Sequence, residues 1–217
     1  MPADFQAVPK PRKTPRPSSE AILRSAAKVF AARGYADTSL RQLMAAARVS
    51  TTAFYARFAT KEAVLSALVM ELLQELSTRA QAELKHATGL ADGFDRGVDV
   101  LVAVIVPKKQ VVRVALSEGA GSPLVAETLR NLYAVLAGLL ASNIRSLARR
   151  GAADDTHVDA VAWSLVGALN MQVTRWAVHG DLSDDALGPA LRNVATALLP
   201  VVDPGLGGQP VTAGAKT

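Results

Sequence analysis

The stretch from Ser39 to Lys61, SLRQLMAAARVSTTAFYARFATK, predicts two short helices joined by a tight turn. Ser39 can cap the first helix, and Gln42 stands three residues later, as a capping box requires. Four apolar residues then recur at helical spacing and form one stripe: Leu40, Leu43, Met44 and Ala47. The stripe ends at Arg48, and Ser50 can cap the second helix. The stretch therefore has the pattern of a helix-turn-helix.

The second helix is predicted to bury one face and to present the other. Phe54 and Phe58 share the apolar face, and Val49 would lock the turn between the two helices. The opposite face carries small or planar side chains that form hydrogen bonds: Thr51, Thr52, Tyr55 and Arg57. Such a face suits a helix placed in the major groove of DNA, where base edges and phosphates must both be reached. The alternative is a small helical hairpin with a polar outer face.

The flanking sequence extends this pattern. Upstream, a further helical stripe runs from Ile22 to Phe30 and is followed by Gly34, a usual helix stop; downstream, Thr60 can cap another helix. Residues 19–68 closely resemble the DNA-binding domain of TetR-type transcriptional repressors. The matching residues are Phe30, Gly34, Tyr35, Thr38, Leu43, Ala47, Val49, Ser50, Phe54, Tyr55, Phe58, Lys61 and Glu62.

Two residues depart from the pattern of that family. Arg48 stands where a glycine is usual in the turn, and Met44 stands where alanine is usual. We expect Arg48 to adopt a left-handed backbone, which costs a non-glycine residue roughly 1 kcal/mol. Neither departure removes a residue that would face DNA.

The resemblance implies a DNA-binding surface on this helix pair. We expect Arg41, Tyr55 and Lys61 mainly at phosphates, and Thr51, Thr52 and Arg57 closer to base edges. With the two capping serines, the predicted set is Ser39, Arg41, Ser50, Thr51, Thr52, Tyr55, Arg57 and Lys61. The expected partner is a double-stranded DNA operator, a palindrome that a homodimer binds in the cytoplasm.

Charge is concentrated towards the N-terminus. Residues 1–62 contain eleven Lys and Arg against four Asp and Glu, whereas the remainder contains thirteen against fifteen. A basic N-terminal third on a near-neutral body is expected of a modular DNA-binding protein. Residues 1–17, with five prolines and four basic residues, predict a disordered basic arm. This arm would either follow the DNA or only solvate the chain.

Composition argues against several other classes of protein. The chain has 217 residues and no cysteine, so it is long enough for a real core and has no disulfide or thiolate metal site. The three histidines lack metal-ligand spacing, and neither GxSxG nor a phosphate-binding glycine loop is present. The longest uninterrupted apolar run, Val100 to Val106, is too short to cross a bilayer. We expect no catalytic residue, no metal, no cofactor and no membrane partner.

The predicted fold is all-α, with about nine helices. We divide the chain into the arm 1–17, a helix-turn-helix domain 18–62, a ligand-binding and dimerisation domain 63–202, and a disordered tail 203–217. The fourth helix, from Thr60 to about His86, meets no glycine or proline until Gly89. At 1.5 Å per residue it would span roughly 40 Å, which is long enough to connect the two domains as a lever.

The helix from Val158 to Val178 carries only Asp159 and Arg175 as charged residues and is apolar on nearly every side. A helix apolar on more than one face must be buried on more than one face. In the family arrangement that the resemblance implies, the last two helices of each subunit pair into a four-helix dimer bundle. The alternative is a central helix within a monomer.

The resemblance also implies a cavity for a small-molecule effector inside the larger domain. Candidate lining residues are Phe94, Arg113, Trp163 and Asn170. The alternative is packing for the two aromatic residues, and a helix cap or a solvated face for the two polar ones. The few aromatic residues, and the lack of an acidic residue in the 158–178 helix beyond Asp159, favour a mainly aliphatic pocket and a largely apolar effector. The function that we expect is a ligand-responsive repressor. The alternatives are a constitutive dimeric regulator, a scaffold that dimerises without reading DNA sequence, and a small-molecule enzyme.

Overall fold

The computed structural model describes residues 19–118, 121–147, 155–201 and 203, and these residues form helices and turns without a strand. The predicted all-α fold is therefore confirmed. The α-helices are α1 (Ser19–Arg33), α2 (Leu40–Ala47), α3 (Thr51–Tyr55), α4 (Lys61–Leu84), α5 (Leu90–Ile105), α6 (Lys109–Glu118), α7 (Pro123–Leu147), α8 (Asp155–Thr174) and α9 (Asp184–Leu198). The predicted arm 1–17 and the predicted tail after Asp203 lie outside the described residues.

Hydroxyl side chains set the starts of three helices in the N-terminal part. The Ser39 hydroxyl accepts from the N–H of Gln42 at 3.3 Å, and the Gln42 side chain accepts from the N–H of Ser39 at 2.7 Å, so the predicted capping box is present. Ser50 caps α3, and Thr60 caps α4 through the N–H of Ala63 at 3.1 Å. Each cap pairs an N–H that has no partner within its helix.

The helices α1 to α3 and the first turns of α4, here called the head, enclose a small core. The core residues of α1 to α3 with 1% or less of their surface exposed are Ile22, Ala26, Phe30, Leu43 and Phe54. Val64 and Leu68 of α4 belong to the same cluster, and so does Val111 of α6, which lies far along the chain from the head. The head is therefore joined to the rest of the chain through two helices, α4 and α6.

The remaining helices, here called the body, pack around a second and larger apolar core. Its fully buried members include Leu165 of α8, Leu187 and Leu191 of α9, and Trp176. Trp176 belongs to a π-helical turn, Arg175–His179, that follows α8. The helix predicted from Val158 to Val178 is thus an α-helix only as far as Thr174.

Contacts with α6 and α9 explain why the helix changes geometry at that point. The Trp176 indole N–H donates to the Asp184 carboxylate at 2.7 Å, and the Lys109 ammonium donates to the same carboxylate at 2.9 Å. Lys109 also lies over the Trp176 ring, 4.7 Å from its centroid. The wider turn aims Trp176 at the starts of α6 and α9, and it ends at Gly180, where φ is 73°.

Within the described residues, one helix, α7, is long and apolar enough to cross a membrane by length and composition. In the fold, α7 contacts α4, α5 and α8. Its apolar residues Leu132, Leu136 and Leu140 line an interior cavity. The sequence pattern did not single out this helix because three charged residues, Glu127, Arg130 and Arg145, interrupt it.

Candidate nucleic-acid interface and interior cavity

The turn between α2 and α3 fixes the angle of the second helix of the motif. Arg48 has φ 53° and ψ 43°, so the predicted left-handed backbone is present in a non-glycine residue. This conformation lets the N–H of Arg48 reach the Ala45 carbonyl at 3.1 Å and the N–H of Val49 reach the Met44 carbonyl at 3.1 Å. The end of α2 is thereby closed, and Ser50 begins α3 two residues later.

The helix α3 is held from beneath by two phenylalanines. Phe54 is fully buried, Phe58 is buried beside it, and their ring centroids lie 6.0 Å apart. Thr51 and Thr52 are exposed on the outer side, and 49% of Tyr55 is exposed. The short helix therefore presents hydroxyl groups to solvent at its N-terminal end while its aromatic side anchors it.

Two arginines flank this surface in different states. Arg41 is exposed on α2, and the described residues give it no hydrogen bond or ion pair. Arg57 is half-buried, and its guanidinium donates to the Ala53 carbonyl at 3.0 Å. Arg41 is thus free to reach a phosphate. Arg57 follows α3 in the chain, and the bond to Ala53 engages one of its guanidinium nitrogens, which leaves the others to donate to DNA.

Lys61 lies at the start of α4 and is bound to the loop between α1 and α2. Its ammonium donates to the Tyr35 carbonyl at 2.7 Å and to the Ala36 carbonyl at 3.4 Å. The same nitrogen lies 4.2 Å from the centroid of the Tyr35 ring. An ammonium group has three donors, so one remains for a phosphate.

Tyr35 and Glu62 complete this contact. The Tyr35 hydroxyl donates to the Glu62 carboxylate at 3.2 Å. The N–H of Glu62 itself, followed by the Thr60 and Tyr35 hydroxyls, lowers the pKa of the Glu62 carboxyl below its ordinary value. Burial, followed by the nearby Glu62 charge, raises the pKa of Tyr35 well above its ordinary value. Tyr35 therefore stays neutral and ties the loop before α2 to the first turn of α4.

The body encloses a cavity of about 620 Å³ between α4, α5, α6, α7 and α8. This volume lies within the range of small-molecule pockets, about 300–1,000 Å³. Two predicted lining residues, Phe94 and Asn170, are in its wall. Two others are not, because Arg113 lies on the exposed side of α6 and Trp163 on the exposed side of α8.

Sequence reasoning missed the residue that pairs with Asn170. Tyr133 of α7 lines the cavity, and its hydroxyl donates to the Asn170 side-chain oxygen at 2.9 Å. Burial raises the pKa of Tyr133 above its ordinary value. The available signal was a hydroxyl on the apolar helix α7, but the two partners are 37 positions apart in the chain, so the sequence does not show their contact.

The outer side of α8 carries an exposed stripe. Trp163, Gly167 and Met171 follow one another at four-residue intervals, and 51% of Trp163 and 54% of Met171 are exposed. Exposed side chains of this size on one line are unusual on a monomer.

In the described part of the chain, no group of three or more His, Asp or Glu side chains could hold a metal ion.

Comparison with known proteins identifies the family. Residues 22–68 match the family model of bacterial regulatory proteins of the tetR family. The chain is 30% identical over 179 residues to the HTH-type transcriptional regulator EthR of Mycobacterium tuberculosis, covering 80% of this chain and 82% of EthR.

Solved structures share the fold. A TetR-family transcriptional regulator from Syntrophomonas wolfei superposes with a TM-score of 0.74 at 18% identity, covering 89% of this chain and 97% of that one. Salmonella enterica GusR superposes with a TM-score of 0.67 at 24% identity, covering 87% and 98%. The chain is a transcriptional regulator that belongs to the TetR family.

Proposed function

We propose that this regulator binds a palindromic DNA operator as a homodimer, that α3 enters the major groove, and that a small molecule in the body releases the DNA. The observation that carries the proposal is the exposed N-terminal face of α3, with Thr51, Thr52 and Tyr55 above a buried Phe54. A helix anchored in this way can present hydroxyls to base edges and phosphates without losing its position. DNA as the partner implies a cytoplasmic protein that acts by binding rather than by catalysis.

The division of contacts follows from the state of each side chain. The exposed Arg41 and Tyr55, together with the remaining Lys61 donor, suit phosphates. Thr51 and Thr52 lie closest to the tip of α3 and suit base edges. Ser39 and Ser50 cap α2 and α3 with their hydroxyl oxygens. The Ser50 hydroxyl proton is left for a phosphate, whereas the Ser39 hydroxyl donates to the Gln42 side-chain oxygen at 3.1 Å and would exchange that bond for one to a phosphate.

Dimerisation is supported by the outer side of α8. The exposed stripe of Trp163, Gly167 and Met171 combines large apolar side chains with a glycine that permits close approach of a second helix. A two-fold axis through this stripe would bring α8 and α9 of the two subunits together. The same axis would place two copies of α3 on the two halves of a palindrome.

Release by a ligand is supported by the helices that the cavity and the head share. Val69 and Leu72 of α4 line the cavity, while Val64 and Leu68 of the same helix belong to the core of the head. Val111 of α6 lines the cavity and also packs into the core of the head. A ligand that displaces α4 or α6 would therefore move the head directly.

Geometry makes such a movement effective. Successive major grooves on one face of B-DNA lie about 34 Å apart, so a shift of a few ångströms in one head breaks simultaneous contact by the pair. By linkage, the factor by which the ligand weakens DNA binding equals the factor by which DNA weakens ligand binding. A constitutive dimeric regulator would show no such coupling, and an enzyme would turn over a small molecule.

In vitro selection from random duplexes tests the DNA-binding part. The wild type should enrich a sequence with two inverted half-sites. Thr52→Val keeps the shape of the side chain but removes its hydroxyl, and should relax the preference at one position of each half-site by about 1–3 kcal/mol. Thr78→Val, an exposed threonine on α4 outside the head, serves as the matched control and should select the wild-type sequence. Enrichment of no sequence by the folded wild type would refute the proposal.

A further inference from the structure

The polar side chains in the cavity wall are divided between two places. The wall residues with an exposed side chain are Gln81, Lys85 and Ser142, and all three lie at one end, near the C-terminal ends of α4 and α7. These helix ends meet α5 there, since a Cβ placed on Gly93 would lie 2.6 Å from the Leu147 side chain and 3.7 Å from that of Leu84. The mouth of the cavity is at this end.

The other polar place is formed by Tyr133 of α7 and Asn170 of α8, away from this end. The Tyr133 hydroxyl donates to the Asn170 side-chain oxygen, and the Asn170 side-chain nitrogen has no hydrogen-bond partner among the described residues. Asn143, a second asparagine in the wall, differs because its side-chain nitrogen donates to the Leu139 carbonyl at 2.9 Å. The Asn170 amide is therefore an available donor inside an apolar wall, and a ligand acceptor would pair with it.

The wall leaves little choice of ligand charge. No Asp, Glu, Arg or His side chain of the described residues lines the cavity, and its single charged residue, Lys85, is exposed at the mouth. Burying an ionised group beside Tyr133 and Asn170 without a counter-charge is strongly unfavourable, because the group loses its hydration and gains no ion pair. A neutral acceptor such as a carbonyl oxygen carries no such penalty.

The spacing of wall residues along α7 shows the shape of the space. The wall extends from Leu129 to Leu147, about 27 Å at 1.5 Å per residue. Along α7, Tyr133 lies one helical turn, about 6 Å, from Leu129 and about 21 Å from Leu147, which is at the mouth. The longer interval is lined by Leu136, Leu140 and Ile144 and by apolar residues of α4 and α5.

We propose that the cavity binds an uncharged long-chain acyl compound, an ester, amide or ketone, whose carbonyl oxygen accepts a hydrogen bond from the Asn170 side-chain nitrogen. Its alkyl chain lies along α7 towards the mouth at Gln81 and Lys85. The proposal rests on the ligand-responsive function proposed above and names the chemical class of the ligand for that site.

Competition with the apolar fluorescent dye N-phenyl-1-naphthylamine tests this on the full chain. The competitors are methyl decanoate, dodecane as its counterpart without a carbonyl, and decanoate at pH 8. Methyl decanoate should displace the dye about three- to tenfold more effectively than dodecane, as one net hydrogen bond provides. It should also bind more tightly than methyl octanoate by roughly fifteenfold, since it has two more methylenes and each buried methylene contributes about fourfold. Decanoate should be the weakest of the three.

Three variants test whether the preference for the ester over the alkane comes from Asn170. Asn170→Leu should abolish the advantage of methyl decanoate over dodecane, whereas Asn143→Leu, the matched control, should retain it. Because Asn170→Leu leaves the Tyr133 hydroxyl without its partner, the double variant Tyr133→Phe with Asn170→Leu provides a satisfied apolar wall and should show the same loss. Equal displacement by the ester and the alkane in the wild type would overturn the proposal. Tighter binding of decanoate that depends on Lys85 would overturn it too.

Fluorescence anisotropy of the selected operator in the same mixtures separates this proposal from the proposed release of DNA. An ester preference with unchanged operator affinity would support the ligand class and overturn ligand-controlled release. Release of the operator by decanoate, without an ester preference, would overturn the ligand class and support ligand-controlled release. Methyl decanoate that binds preferentially and releases the operator would support both.

Discussion

Replacing Arg48 by glycine should stabilise the protein, although Arg48 lies in the DNA-binding motif. Its backbone has φ 53°, which costs an ordinary residue about 1–2 kcal/mol relative to the right-handed region. Glycine relieves this strain but loses about 0.5–1 kcal/mol through the greater freedom of the unfolded chain. The exposed Arg48 side chain makes no hydrogen bond or ion pair among the described residues, so no contact is lost. From the middle of each range, the net gain is about 0.75 kcal/mol.

Arg48→Ala is the matched control, because it removes the same charge and keeps the strained backbone. Thermal unfolding at equal protein concentration should give Arg48→Gly a melting temperature about 1–4 °C above that of Arg48→Ala, at the 2–4 °C per kcal/mol expected for a chain of this length. Because both variants remove the same positive charge, the slope of DNA affinity against salt concentration should be the same for the two. A glycine variant no more stable than the alanine variant would refute the assignment of strain to this turn.

Three further changes test other contacts. Lys61→Met removes the ammonium from the Tyr35 carbonyl and should lower the free energy of unfolding by about 1–2 kcal/mol. The same change should flatten the salt slope of operator binding by about one, and an unchanged slope would remove Lys61 from the phosphate contacts. Trp163→Glu should give a monomer in analytical ultracentrifugation. Met70→Glu, at an equally exposed apolar residue of α4, is the control and should remain a dimer. A dimeric Trp163→Glu protein would show that the outer side of α8 is not the dimer interface. Glu62→Gln should make the stability of the protein depend less on pH on the acid side. The pKa of the Glu62 carboxyl is lower in the folded state than its ordinary value of 4.5, so the ionised carboxylate stabilises the fold above pH 4.5. That stabilisation is lost as the pH falls through the pKa of the folded state. Thermal melts between about pH 6 and pH 3 compare the two proteins, and parallel profiles would show that the Glu62 contacts contribute nothing.

The head was predictable in detail because its signals are local. The caps at Ser39, Ser50 and Thr60 and the left-handed turn at Arg48 depend on residues two to four positions apart. Interactions at that range are written directly in the sequence. For the same reason the predicted course of α4 agrees with the observed helix to within two residues.

The cavity was less predictable because its wall depends on which side of each helix faces inward. On α6, the inward side carries Val111, Val112 and Ala115, so Arg113 faces solvent. The contact of Val111 with the head joins residues far apart in the chain, as does the pair of Tyr133 with Asn170. Helical periodicity identifies an apolar side but not the neighbour that covers it.

The proposed function requires two copies of α3, held on one dimer, to bind the two half-sites of one operator. Hydroxyl-radical footprinting of the selected operator, with the stoichiometry measured by sedimentation of the complex, decides whether they do. We expect two symmetric protected regions on one face of the duplex, centred about one helical turn or a multiple of it apart, and an even number of chains per operator. A single protected region bound by one chain would contradict it.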